Sequence, residues 1–86
     1  MPRYFFHVYN GQGLTRDDEG IDLADQAAAL RMAMDSIRSI ISEEARKGVI
    51  DLDGRIEVTD ESASTLDSVV FVDAFTLRMP TAEPGS

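Results

Sequence analysis

Arg3-Tyr4-Phe5-Phe6-His7-Val8-Tyr9 (RYFFHVY) opens the chain with an aromatic-rich, β-branched-compatible run. Such a run reads as a strand. Its alternation places Tyr4, Phe6 and Val8 on one face and Phe5, His7 and Tyr9 on the other. Both faces carry large rings, the pattern of a strand in the middle of a sheet. The run ends at Asn10-Gly11-Gln12-Gly13, a turn signal with two glycines that can take positive φ. A weaker second strand follows through Leu14-Thr15-Arg16, with apolar residues resuming at Ile21 and Leu23, so the chain begins with a hairpin.

Beyond the hairpin lies one long helix. Asp25 fits an N-cap and Gly48 a C-terminal stop, and the residues between them contain neither Gly nor Pro. Ala27, Leu30, Met34, Ile37, Ile41 and Ala45 recur at helical spacing and form the expected apolar stripe. Arg46 and Lys47 suit the negative end of the helix dipole. After a loop at Asp51-Leu52-Asp53-Gly54, Arg55–Thr59 (RIEVT) alternates as a third strand with Ile56 and Val58 inward. Leu66–Phe75 (LDSVVFVDAF) reads as a fourth and final strand. The expected fold is therefore α+β: a ββαββ chain with a four-stranded sheet and one long helix on one face. Residues 1–78 form the domain, and residues 79–86, which carry Pro80, Pro84 and Gly85, form a disordered C-terminal tail.

The first and last strands are apolar on both faces and the other two alternate. That favours the β-grasp-like order 2-1-4-3, with the antiparallel order 2-1-3-4 as the alternative. In either order one helix covers only one face. Taking the charge-free residues as the helix side leaves Phe5, His7, Tyr9, Val69, Phe71 and Phe75 on the uncovered face. A cluster of that kind marks an interface, most commonly with a second copy of the same chain.

The composition narrows the partners. The chain has 86 residues, a formal net charge of -8 and no cysteine or tryptophan. It therefore has no disulfide and no thiol nucleophile. Nucleic acid and anionic membrane surfaces are disfavoured, because both are held by clustered Lys and Arg. There is no signal-peptide pattern and no apolar run of about 18 residues, so the sequence reads as cytoplasmic. No catalytic, cofactor or metal site is expected. Asp17-Asp18-Glu19-Gly20 and Asp51-Leu52-Asp53-Gly54 are dense in oxygen ligands, but the second fails the spacing of a calcium loop, and both read as solvated acidic turns. His7 is the only histidine and sits among the rings of the uncovered face. Pro2 offers one enzymatic alternative: if Met1 were removed, a desolvated N-terminal amine could act as a base, which is how the tautomerase superfamily works.

Met1–His7 (MPRYFFH), Asp17–Gly20 (DDEG), Leu23 with Ala29, and Gly54–Asp60 (GRIEVTD) resemble the pattern of a small bacterial domain-of-unknown-function family. Its members open M-P-R-[YF]-[YF]-F-H and place an acidic E-G turn before an Ala-rich helix. They then carry an R-[IV]-E-V-x-D strand and end in a hydrophobic strand. The resemblance implies a bacterial, stand-alone cytoplasmic domain and brings no activity, cofactor or catalytic residue with it. A looser similarity to the HicB-type antitoxin fold, also hairpin, acidic glycine turn and helix, implies an antitoxin-like acidic protein that masks a basic partner. Together these readings point first to a non-enzymatic protein-interaction module, homodimeric through the aromatic sheet face.

Overall fold

The computed structural model describes residues 1–80; most of the expected tail, 79–86, lies outside the described residues. The order of elements is β1 (Arg3–Asn10), β2 (Gly13–Thr15), β3 (Ile21–Asp22), α1 (Gln26–Lys47), β4 (Arg55–Thr59), β5 (Thr65–Val70) and a 3-10 turn at Phe71–Ala74. The fold is α+β, an open antiparallel sheet with a single long helix against it.

The helix runs between the two residues expected to bound it. The Asp25 carboxylate accepts the Ala28 N–H at 2.8 Å, and Gly48 takes a left-handed φ of 91°. Its buried seam is Ala29, Ala33, Ile37 and Ile41, while Ala27 and Ala45 are exposed, so the stripe is rotated from the expected one. The two alanines let the N-terminal half of the helix lie close to the sheet. Two side chains tie α1 to the end of the chain: Gln26 Nε2 donates to the Leu66 carbonyl at 3.3 Å and Arg38 Nε to the Ala74 carbonyl at 2.9 Å.

The sheet order is β2-β1-β4-β5, with β3 also paired to β1. In terms of the four expected strands this is 2-1-3-4, the antiparallel alternative, and not the β-grasp-like 2-1-4-3. The reason lies in Leu66–Phe75, which is two elements rather than one strand. β5 ends at Val70, and the chain then turns so that Phe71 and Ala74 are buried. The two-sided apolarity of that stretch came from this change of geometry. β4, apolar on one face only, takes the central place beside β1, which an antiparallel sheet with one open face allows.

The register with β4 reverses the expected facing of the last strand. Ile56 pairs with Val69 and Arg55 with Val70. Val69 therefore lies on the helix side with Ile56, and Ser68 and Val70 lie on the open side. The core is built from Tyr4, Phe6, Ile37, Ile56, Val58, Val69 and Phe71, with Phe75 packed against its rim.

Phe71 is fully buried and its N–H donates to the Gly54 carbonyl at 2.8 Å. A Cβ at residue 54 would lie 2.7 Å from the Phe71 ring and 2.8 Å from the Tyr9 carbonyl oxygen. Gly54→Ala is therefore expected to destabilise the fold by about 1–3 kcal/mol, as overpacking does. A urea-unfolding midpoint lowered at unchanged slope would verify this, and an unchanged midpoint would refute it.

Candidate functional site on the open face of the sheet

The strand register lays the open face out in rows. Leu14 faces Tyr9, Tyr9 faces Arg55 and Arg55 faces Val70. The next row runs His7, Glu57, Ser68, and the third Phe5, Thr59, Thr65. Leu14 and Val70 are 43% and 39% exposed, and Val72, just beyond, is 42% exposed. Tyr9 lies between them, half-buried.

Charge on this face is balanced and tightly held. The Arg55 guanidinium sits 4.1 Å from the centre of the Tyr9 ring, a cation–π stack. Its Nε donates to Glu57 Oε2 at 3.2 Å. The face is thus an apolar band crossed by one Arg–Glu pair, unlike the net acidic character of the sequence as a whole.

Of the six residues expected here, Phe5, His7 and Tyr9 line the open face. Val69 and Phe71 belong to the core on the opposite side, and Phe75 packs at its edge. The expected cluster is therefore corrected: β1 supplies its aromatic half, and the other half comes from Leu14, Arg55, Glu57 and Val70. The alternation of RIEVT already points Arg55 and Glu57 outward. Their place beside Tyr9 and His7 follows only from the order 2-1-3-4, which sets β4 against β1.

One end of the face is closed by the acidic turn. β2 and β3 are two pieces of one edge strand, interrupted at residues 16–20, so Phe6 of β1 has no strand opposite it there. Asp17 fills the gap. Its Oδ2 accepts the Phe6 N–H at 3.1 Å, and its Oδ1 accepts those of Glu19 at 3.2 Å and Gly20 at 3.0 Å. Gly20, at φ 72°, lets the turn lie on β1: a Cβ there would be 2.9 Å from the Phe5 ring and from the Tyr4 carbonyl. His7 completes the closure. Its Nδ1 accepts the Asp17 N–H at 3.2 Å, and its Nε2 lies 3.2 Å from Thr59 Oγ1. At the far end Arg3 grips Asp22 through Nε at 2.9 Å and Nη2 at 3.3 Å.

Burial works to raise the Asp17 pKa, but the three backbone N–H donors and the nearby His7 outweigh it and hold the carboxyl below its ordinary 3.8. The hydrogen bond and charge of Arg3 likewise lower Asp22. Among the described residues no three His, Asp or Glu side chains converge as metal ligands, and no helix is long and apolar enough to cross a membrane. Two shallow grooves flank the sheet. One of about 500 Å³ lies between the β1–β2 turn and the end of α1, lined by Ile40, Glu44 and Asp51 among others. The other, of about 320 Å³, lies beside Arg55, Val70 and Val72.

The chain matches the family model described as Domain of unknown function (DUF6894) over residues 3–72. Comparison with curated proteins and with solved structures finds no match.

The lowered Asp17 pKa has a signed consequence. The folded state prefers the ionised carboxylate more than the unfolded chain does, so the stabilisation is present above about 3.8. It is lost as pH falls through the lower folded value. Asp17→Asn is expected to cost about 1–3 kcal/mol at neutral pH by weakening the hold on three backbone donors, two of them part-buried. It should also flatten the acid limb of the stability curve, measured by urea unfolding from neutral to acid pH. An acid limb as steep as the wild type's would count against this role.

Proposed function

The chain belongs to the DUF6894 family, a domain of unknown function, and we propose that it is a non-enzymatic interaction module that pairs with a second copy of itself through the open face of its sheet. The observation that carries this reading is one Arg–Glu pair set in an exposed apolar band, a charge pattern able to complement itself. A twofold axis passing between Arg55 and Glu57 brings each opposite the other's counterpart. Arg55 and Glu57, two residues apart on one strand, then meet Glu57 and Arg55 of the second copy, while Tyr9, Leu14 and Val70 supply apolar area around them.

The edge of the sheet is a less apt surface. On β5 the Ser68 N–H is taken by the Asp67 carboxylate at 2.8 Å, which blocks a donor that strand addition would need. The enzymatic alternative finds little support: Pro2 is exposed, and an amine in water keeps its ordinary basicity. Its carbonyl accepts the Leu23 N–H at 3.0 Å and serves the sheet edge.

Arg55→Glu and Glu57→Arg are each expected to be monomeric alone, because each places like charges across the axis. Mixed in equal amounts they should associate, since every contact is again between opposite charges. Light scattering after size exclusion reads both results. A wild type that stays monomeric up to its solubility limit would overturn self-pairing, and so would variants that remain dimers alone. A monomeric wild type that binds a different protein through Tyr9 and Leu14 would assign the face to a foreign partner.

A further inference from the structure

We propose that His7 is a pH-operated latch that fastens the Asp17–Gly20 turn to the sheet. The geometry fixes the ring's protonation pattern. Nδ1 accepts a backbone N–H from Asp17, so the proton of the neutral ring is on Nε2, where Thr59 Oγ1 accepts it. Thr59 is only 6% exposed, which holds this second contact away from water. A protonated ring carries hydrogen on both nitrogens, and Nδ1–H would then point at the Asp17 N–H, donor against donor.

The turn's other attachments to β1 lie on either side of this contact. The Asp17 carboxylate holds the Phe6 N–H, Arg3 Nη1 donates to the Glu19 carbonyl at 3.1 Å, and Gly20 lies against Phe5. Protonation therefore breaks the Asp17 N–H to His7 contact, while the Asp17 carboxylate keeps the Phe6, Glu19 and Gly20 N–H groups. β3, only Ile21–Asp22, stays held by its pairing with Arg3 and Tyr4 and by the Arg3–Asp22 ion pair at 2.9 Å.

The charged groups around the ring are Asp17 from the turn, Glu57 directly opposite on β4, and Arg55, which is engaged by Glu57 and Tyr9. Phe5 and Tyr9 flank it on its own strand. Both carboxylates favour the imidazolium once it forms, so the two states are separated by the backbone contact and not by a bare buried charge. Histidine is the side chain that changes charge between about pH 8 and pH 5. The Asp17 N–H is thus released from the sheet across that range.

The test is amide hydrogen exchange by NMR on the whole chain between about pH 8 and pH 5, expressed as protection relative to the intrinsic rate. Protection of the Asp17 amide is expected to fall roughly tenfold across this range, while Phe6 in β1 and Ile56 and Val58 in β4 hold theirs. In His7→Gln, whose amide can accept and donate but does not titrate, the fall should vanish. Flat protection in the wild type overturns the latch, and so does an equal fall in the variant. Ring nitrogen shifts of the wild type near pH 8 decide the matter if the variant does not fold: a proton on Nδ1 overturns the proposal. Exchange is read at two protein concentrations, because loss caused by dissociating copies depends on concentration and loss through the latch does not. Failure of the latch thus leaves self-pairing untouched, and the reverse also holds.

Discussion

One helix can cover one face of this sheet, and the rest of the molecule follows from that limit. Every strand must separate its residues into a covered set and an uncovered set. Tyr4 and Phe6 on β1, Ile56 and Val58 on β4, and Val69 on β5 meet the seam of α1. The alanines at 29 and 33 bring the helix close enough to exclude water there. The opposite face receives no such cover and has to be stable in contact with solvent. It manages this by pairing its own groups: Arg55 on Tyr9 and Glu57, His7 between Asp17 and Thr59. Pairs of this kind leave aromatic area accessible while keeping its polar groups satisfied, which is the character of a protein interface.

Local signals made the helix legible from the sequence and the strand order less so. Asp25 and Gly48 act through the backbone of their own neighbours, so their meaning does not depend on tertiary context. The placement of β4 and β5 does depend on it. Val69-Val70-Phe71-Val72 looks continuous as a string, yet the backbone changes from strand to 3-10 turn between Val70 and Phe71. Val69 and Phe71 share a side, as period two requires, but it is the core side. The register with β4 decides this by setting Val69 beside Ile56, and a strand's own residues do not state which of its faces meets the helix. The candidate site was half legible for the same reason. Phe5, His7 and Tyr9 lie on the face that β1 leaves open, whereas taking the charge-free set of the last strand as its helix side inverts Val69 and Phe71.

The acidity of the chain also takes on a different meaning. A net charge of -8 suggests a repulsive coat. Several of these carboxylates instead close turns and ends: Asp17 at the broken edge, Asp25 at the helix start, Asp51 and Asp60 in loops, Asp67 beside Ser68. Short strands and tight turns leave many backbone N–H groups without a ladder partner, and an aspartate reaches them with a short, ionised acceptor. The Asp17-Asp18-Glu19-Gly20 motif is an instance. Its first residue bridges three donors, and its glycine supplies the conformation that lets the turn lie flat on β1.

This distribution bears on how two copies could meet. Two bodies of like net charge repel at long range, and salt weakens that repulsion within a Debye length of about 8–10 Å. Close contact is therefore favoured only where the local charge is neutral. The open face meets this condition, because Arg55 and Glu57 cancel and Asp17 is turned toward backbone donors. The outer side of α1 carries mixed pairs such as Arg38–Asp35 and Arg46–Glu43, exposed and held at 3.6 and 3.7 Å, which give no directional preference of comparable strength. Added salt should then strengthen self-association through the open face by screening the net charge, up to the point where it screens the Arg55–Glu57 contacts as well. A charge-masking contact with a basic partner would weaken with salt from the outset. The sign of the salt effect thus distinguishes pairing through this neutral face from binding that draws on the acidity of the whole surface.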